Sequence, residues 1–393
     1  MAILEVTVLV YFSFVTVYIS VCFIGCLLYK DKKFHFNNKN QNSFHILIPA
    51  YKEDAIILSS VKENLKQNYP IQKFKITVIA DSLQPNTITQ LQDLNIEVLI
   101  AQFDFSTKVK SLNLAIQHEP SNFDYTVILD ADNILEPNYL LKVNELHNDG
   151  YQAIQTQRIP KNQDTNMAFL DGLSEALNYN LISKPGVSLK LSPGLKGSGM
   201  SFNSKILKEL LSNMTSVGGF DRELELKLLQ RGISIYYSHN TVVQDEKVSS
   251  IEVFKRQRTR WVASQFIYLQ KYFVSGVVSF IKNRNLAYFN SAVLRNIQLP
   301  RLVNFGLLFM LSVTSFLFRK YIFFDWQIWC LLFLINLLIL LLSVPKHFYS
   351  LKIVRAAFYV PSVFFNMLLV FLKLKGANKK FIHTPKTSDS RSI

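Results

Sequence analysis

The chain is poor in cysteine and poor in acids. Only three cysteines occur among 393 residues, and Cys22, Cys26 and Cys330 all fall in apolar segments. No disulfide framework or cysteine-built zinc site can be assembled from them. Cys22 and Cys26 share a helical face and read as packing. Asp and Glu total 28 against 43 Lys and Arg, a net charge of +15. Such an excess attracts phosphates, nucleic acid or anionic lipid. Many of the cations flank apolar segments, so membrane orientation explains part of it, and a nucleic-acid partner is not expected. Hydrophobic residues are 49% of the chain and the charges concentrate in its middle. That distribution predicts a soluble domain held between membrane segments. The apolar segments lack internal repeats and a buried ionisable network, which argues against a transporter.

Val6 to Leu28 is almost wholly apolar, long enough to span a bilayer at ~20 residues. Its leader carries Glu5 and no cation, and the run exceeds the ~7–15 residues of a signal-peptide core. Lys30, Lys32 and Lys33 follow at once and place the C-terminal side in the cytoplasm. Ile297 to Phe318 and Ile322 to Val344 read as two further spans. Ala356 to Leu372 is flanked by cations on both sides, which favours an in-plane helix over a fourth span. The expected organisation is an N-terminal transmembrane helix (1–33), a cytoplasmic catalytic domain (34–249), interfacial helices (250–296), a transmembrane hairpin (297–344), and an amphipathic or transmembrane helix with a cytoplasmic tail (345–393). The expected location is a bacterial cytoplasmic membrane.

Between the apolar ends, strand and helix signals alternate. Strands are predicted at 45–49, 74–80, 96–101 and 125–129, with helices at 56–68, 87–94 and 108–118. This alternation predicts an α/β fold with a mostly parallel, doubly wound sheet. Two strands end on acids: Asp81 closes the second, and Asp130-Ala131-Asp132 the fourth. Residues i and i+2 on an extended segment point the same way, so Asp130 and Asp132 are expected to face one point past the strand end. Ligands of open α/β sheets bind there. Paired carboxylates with no Cys or His beside them suit a hard divalent cation, Mg²⁺ or Mn²⁺. Further on, Gly218-Gly219-Phe220-Asp221 precedes a helix expected over 222–230, where Asp221 could act as N-cap. The 250–272 segment interleaves cations with aromatics, which reads equally as an interfacial helix.

Taken in order, these segments resemble the membrane-embedded family 2 glycosyltransferases of GT-A fold, the group that includes cellulose, chitin, hyaluronan and poly-N-acetylglucosamine synthases. Ile48-Pro49-Ala50-Tyr51-Lys52-Glu53 resembles the family's base-binding strand and loop, with Lys52 where Asn is usual. Asp81 matches the acid that contacts the nucleobase. Lys108 to Asn113, with Lys110, resembles the lysine-bearing Leu-Asn element near the donor diphosphate. Asp130 and Asp132 match the metal-binding pair. Asp221 falls where the family has its general base, and Phe220 replaces the Glu beside it. Gln257-Arg258-Thr259-Arg260-Trp261 is a complete Gln-x-x-Arg-Trp motif, and Phe381 to Lys386 resembles a gating loop, with His383 in place of Val. The resemblance therefore implies a nucleotide-sugar donor, a glycan or lipid-linked acceptor, and membrane lipid as partners. The donor would be held by Ala50, Tyr51, Glu53, Asp81, Lys110, Asp130, Gln257, Arg260, Thr384 and Lys386. The acceptor would meet Trp261, Gly197 and Ser198.

The chemistry explains the residue types. The leaving group is a diphosphate, so the site must neutralise developing charge, and a metal aided by Lys110 and Arg260 would do so. One base suffices when the acceptor hydroxyl attacks from the opposite face, and the anomeric configuration then inverts. Two alternatives to a processive synthase stay open: single addition onto a lipid or lipid-linked acceptor, and a non-catalytic sugar-nucleotide-binding scaffold. Three spans make a narrow conduit for a polymer, so a homodimer or an export partner is a further expectation.

Overall fold

The computed structural model describes residues 2–36, 40–119 and 122–372, and the chain divides into two compact units. The expected gating-loop residues Thr384 and Lys386, with Phe381 and His383, lie outside the described residues.

The first unit is built on one mixed sheet and comprises the described residues of 31–163 and 193–247. Its strands are β1 (Phe44–Tyr51), β2 (Phe74–Asp81), β3 (Glu97–Ala101), β4 (Tyr125–Ile128), β5 (Ile134–Leu135), β6 (Ala153–Pro160), β7 (Met200–Asn203) and β8 (Ile235–Asp245). The order across the sheet is β3-β2-β1-β4-β7-β6-β8-β5. β3, β2, β1 and β4 run parallel, and β1 and β2 pair in register from Phe44↔Phe74 to Tyr51↔Asp81. Parallel strands need crossover helices on their faces. These are Asp54–Asn64, Pro85–Gln92 and Lys108–His118. β7 then reverses, antiparallel to both β4 and β6. The sheet is mixed where a mostly parallel one is expected from the strand–helix alternation. The reversal escapes a pattern reading because Met200–Asn203 is only four residues long and follows a glycine-rich loop. Ile46, Leu47, Ile48, Val127 and Ile128 are fully buried, as expected of strands covered on both faces.

The second unit is helical and comprises, among the described residues, 2–30, 164–192 and 248–372. Asp164–Ser192 thus leaves the 34–249 stretch expected as one domain and joins the helices. Ala2–Leu28 is a continuous helix of 27 residues, long and apolar enough to cross a membrane. The hairpin helices Arg301–Leu317 and Trp326–Leu342 are 17 residues each, at the short end of the ~17–25 needed. Leu351–Ala357 and Val360–Leu372 are bent against each other by 47°, where a single segment from 356 to 372 is expected. Side-chain polar groups tie these helices together. Asn336 Nδ2 donates to Thr16 Oγ1 at 2.7 Å, and Tyr11 donates to Asn304 Oδ1 at 2.9 Å while accepting the Leu299 N–H. Glu5 caps the hairpin turn by accepting the N–H groups of Phe323 and Phe324 at 2.9 and 2.8 Å. Interhelical hydrogen bonds of this type hold apolar helices that gain little from burying one another in lipid.

The Arg301–Leu317 and Val360–Leu372 helices meet where a glycine leaves room for an aromatic ring. A Cβ at Gly306 would stand inside van der Waals contact with the Phe364 ring. Gly306→Ala is expected to lower thermal stability in detergent, in the ~1–3 kcal/mol range of an overpacked core. Phe364→Ala in the same chain should recover part of that loss. Equal losses in Gly306→Ala with and without Phe364→Ala would show that the two helices do not meet there.

Candidate active site

The site forms past the C-terminal ends of β1, β2 and β4, and its centre is a turn. β4 ends at Ile128, and the Asn133 N–H donates to the Asp130 carbonyl at 3.0 Å. Asp130 and Asp132 therefore sit on a tight turn, where an extended segment is expected from the i, i+2 reading. Their environments differ. The Asp130 side chain is 37% exposed. Asp132 is buried, and its Oδ2 accepts the Glu246 N–H at 2.9 Å.

Two lysines reach this turn: Lys161 donates to the Asp132 carbonyl, while the one on the Asp130 carboxylate is Lys108. Its Nζ lies 2.5 Å from Asp130 Oδ1, donates to the Gly197 carbonyl at 2.8 Å, and sits 5.2 Å from the centre of the Phe220 ring. Lys110, the lysine expected at the donor, donates instead to the Phe105 carbonyl at 2.8 Å and lies over the Phe103 and Phe105 rings. The local reason is the helix start. Thr107 caps Lys108–His118 by accepting the Lys110 N–H, which makes Lys108 the first helical residue. Residues two apart on a helix point in widely different directions. The Thr preceding Lys108 was the available signal, since Thr is a favoured N-cap.

Gly197 and Ser198 come from a loop that the sheet clamps. Gln155, fully buried on β6, donates through Nε2 to the Ser198 and Gly199 carbonyls and accepts the Lys196 N–H at 2.8 Å. Ser198 is fully buried. Its hydroxyl donates to Asn133 Oδ1 and accepts the Asp130 N–H at 3.1 Å. The O–H donor and one of the two acceptor positions of this hydroxyl are thus used inside the protein. Gly197 has φ +84° and a Cβ there would lie 3.6 Å from Asp221 Oδ2, so its backbone approaches the Asp221 carboxyl directly.

Asp221 is the second residue of the Phe220–Gln230 helix, whose N-cap is Gly219 at φ 65°. The N-cap role expected of Asp221 therefore falls to Gly219. Burial pushes the Asp221 carboxyl above the usual Asp range, while the Arg222 backbone N–H and the Lys108 charge act the other way. A raised carboxyl beside a cation is suited to taking a proton.

At the end where a nucleobase is expected, Ala50 and Tyr51 close β1 and Glu53 precedes the Asp54–Asn64 helix. Asp81 closes β2 and is 3% exposed; its Oδ1 accepts from Ser82 Oγ at 3.1 Å, and its Oδ2 is buried without a hydrogen-bond partner. An unsatisfied buried carboxylate oxygen calls for a donor.

Gln257, Arg260 and Trp261 lie on the Ile251–Asn283 helix of the helical unit. Trp261 is 46% exposed, and the Arg258 guanidinium stacks on it at 4.2 Å while pairing with Asp171 at 2.6 Å. Burial lowers the Arg260 pKa below the usual arginine value. A further group, His45, Glu97 and Glu119, offers ligand atoms within 4.8 Å of one another. It lies at the opposite end of β1 and β2. There Lys75 already bridges both glutamates, and burial holds His45 neutral with a pKa of about 4. A lysine-neutralised cluster of this kind fits a structural role.

A family model described as "Glycosyltransferase like family 2" matches residues 41–264. Among curated proteins, a dolichyl N-acetyl-alpha-D-glucosaminyl phosphate 3-beta-D-2,3-diacetamido-2,3-dideoxy-beta-D-glucuronosyltransferase of Methanococcus voltae is 22% identical over 252 residues, 58% of this chain and 75% of that protein. The probable glycosyltransferase YdaM of Bacillus subtilis (strain 168) is 22% identical over 249 residues, 61% of this chain but 59% of that protein. In fold, the chain is similar to the mannosyltransferase PcManGT from Pyrobaculum calidifontis, solved in complex with GDP-Man and Mn²⁺. The TM-score is 0.55 at 14% identity, over 92% of this chain and 97% of that one. The family match extends over more than half of the chain and includes Asp81, Asp130, Asp132 and Asp221; the protein belongs to the family 2 glycosyltransferases, on a GT-A-like fold.

Proposed function

We propose that this glycosyltransferase moves a sugar from a nucleotide donor, a UDP-sugar in the first instance, to a glycan or lipid-linked acceptor, with inversion at the anomeric carbon and with Mg²⁺ or Mn²⁺ held by Asp130 and Asp132. The observation that carries the reading is the meeting of Asp130, Lys108, Gly197 and Asp221 at one edge of the sheet. Two carboxylates with no soft ligand beside them fit a hard cation. When bound, the cation supplies charge neutralisation for the leaving diphosphate. Asp81 receives an imide N–H of the base on its uncommitted Oδ2, and uracil carries one such group. Asp221 takes the proton of the acceptor hydroxyl. Its raised pKa brings it nearer the working pH than an ordinary Asp.

The chain is proposed to act at a membrane, with Ala2–Leu28 and the Arg301–Leu317 and Trp326–Leu342 hairpin as spans and the sheet unit in the cytoplasm. Roles for Gln257 and Arg260 towards the donor, and for Trp261 towards the acceptor, rest on the motif they form. The processive reading rests on that same motif. Single addition onto a lipid-linked acceptor draws support from the archaeal relative, whose name describes transfer to a dolichyl-phosphate-linked sugar.

Membranes carrying the protein, incubated with radiolabelled UDP- and GDP-sugars, are expected to incorporate label from one donor. A size ladder marks polymer synthesis, and one solvent-extractable species marks single addition. No incorporation from any nucleotide sugar would sink the proposal. Chelation with EDTA is expected to abolish transfer and Mn²⁺ or Mg²⁺ to restore it; transfer that persists after chelation would exclude the metal.

Asp221→Asn is expected to reduce transfer by about 10² or more, within the range for loss of a general base, while nucleotide binding survives. The pH dependence follows from the direction of the shift. The base form is lost as pH falls, so the acid limb of kcat should lie above the usual Asp range. For stability the sign reverses. With its pKa raised in the folded state, Asp221 favours folding while protonated, and that contribution disappears as pH rises through the folded pKa. At neutral pH Asp221→Asn should therefore melt no lower than the native protein. Near-native turnover in this variant would rule out the base assignment.

A further inference from the structure

We propose that Lys108 is the resident counter-cation of the metal site, holding Asp130 while the donor is absent so that a divalent cation binds tightly only together with a nucleotide diphosphate. This deepens the proposed function and rests on its reading of Asp130 as a metal ligand.

Asp130 is where a cation must enter. It is the more exposed of the two acids, whereas Asp132 is buried with Oδ2 on the Glu246 N–H. The Lys108 ammonium already stands on Asp130 Oδ1 at 2.5 Å. It is fixed there by a second hydrogen bond to the Gly197 carbonyl at 2.8 Å and by the face of Phe220 at 5.2 Å. A divalent ion arriving alone has two courses. It can settle beside the ammonium and meet like-charge repulsion, or displace it and break both hydrogen bonds. Either course weakens binding of the free ion.

A diphosphate changes the balance by offering the ammonium another anion. The Lys108 backbone lies at the start of an eleven-residue helix whose N-terminus favours negative charge. Ammonium and metal can then share the phosphates instead of contesting Asp130, so metal and nucleotide binding become coupled. Phe220 sharpens the effect. Its ring offers no carboxylate to Lys108, so in the donor-free site the ammonium has Asp130 and the Gly197 carbonyl as its partners. A carboxylate at position 220 would give it an alternative and release Asp130.

The test measures Mn²⁺ binding to the full-length protein in detergent, without nucleotide, from the loss of the free-ion EPR signal. Lys108→Met is expected to bind Mn²⁺ about fivefold tighter or more than the native protein, at the lower bound of typical coupling. Phe220→Glu should shift affinity in the same direction with Lys108 still present, which covers a Lys108 variant that fails to fold. Lys110→Met should leave Mn²⁺ affinity unchanged. With UDP added, the native protein should approach the affinity of Lys108→Met. Two folded variants, Lys108→Met and Phe220→Glu, that bind Mn²⁺ no tighter than the native protein would overturn the inference. Failure of the underlying reading looks different: Lys108→Met with Asp130→Asn would bind Mn²⁺ as tightly as Lys108→Met alone, removing Asp130 as a ligand and the counter-cation role with it.

Discussion

Asn133 is the residue on which the catalytic edge is assembled. It is fully buried, and each of its polar groups is used. Its N–H closes the turn on the Asp130 carbonyl and its Oδ1 accepts from Ser198 Oγ. Its Nδ2 reaches Asp132 Oδ1 at 3.4 Å, and its carbonyl accepts from Asn64 Nδ2 at 2.9 Å. One residue thereby joins the acid-bearing turn, the glycine-rich loop and the helix that follows β1. Leaving one of these groups unpaired in the interior would cost about 1–3 kcal/mol. Because the knot is fully paired, the turn has little freedom to open, and the separation between Asp130 and the Gly197 carbonyl is set by it. Lys108 bridges that separation.

The pattern of the chain reveals the parallel half of the sheet because burial on both faces produces unbroken apolar runs such as Ile46–Leu47–Ile48. It also reveals the acids, since Asp81 and Asp130 interrupt those runs at strand ends. Three features are illegible for physical reasons. The antiparallel β7 is too short to carry a period. The transfer of Asp164–Ser192 to the helical unit depends on tertiary partners: Arg258 pairs with Asp171, and Arg301 donates to the Asn178 side chain and the Ser174 carbonyl. No linker composition marks that change. The choice of Lys108 over Lys110 depends on helix phase, and a shift of one or two residues in the start of a helix redirects the side chain entirely. Ser198 adds a structural part that its flexible-looking loop does not advertise: its hydroxyl makes two internal hydrogen bonds.

Charge in the site is arranged so that no carboxylate is both buried and idle except where a ligand group could meet it. Asp132 has a backbone N–H, and Asp130 has Lys108. Asp221 has the Arg222 backbone N–H and the Lys108 charge, yet burial still raises its pKa. Asp81 keeps one oxygen unpaired. The two acids with unmet electrostatic demand are the two proposed to contact a substrate, at its base and at its acceptor. An interior that left these demands open without a ligand to answer them would lose stability for nothing, and proteins tolerate such groups chiefly at functional sites.

Backbone strain follows the same distribution. Lys52 and Ser82 leave β1 and β2 at φ 57° and 60°, the left-handed region that side-chain-bearing residues rarely occupy. Each carries a cost of about 1–3 kcal/mol unless the surroundings enforce it. Here the register does so, since Tyr51 pairs with Asp81 and the Lys52 N–H is held by the Asp81 carbonyl at 3.1 Å. Both strands must turn at the same level, one past Tyr51 and the other past Asp81. An Asn at position 52, as the resemblance has it, would enter the left-handed region at less cost than Lys. The chain retains the less favourable residue, and its ammonium lies 5.2 Å from the centre of the Tyr51 ring, beside the unpaired oxygen's strand. The strain at the sheet edge is thus local to the residues proposed to receive the nucleobase, while the turn that carries Asp130 and Asp132 is held by hydrogen bonds.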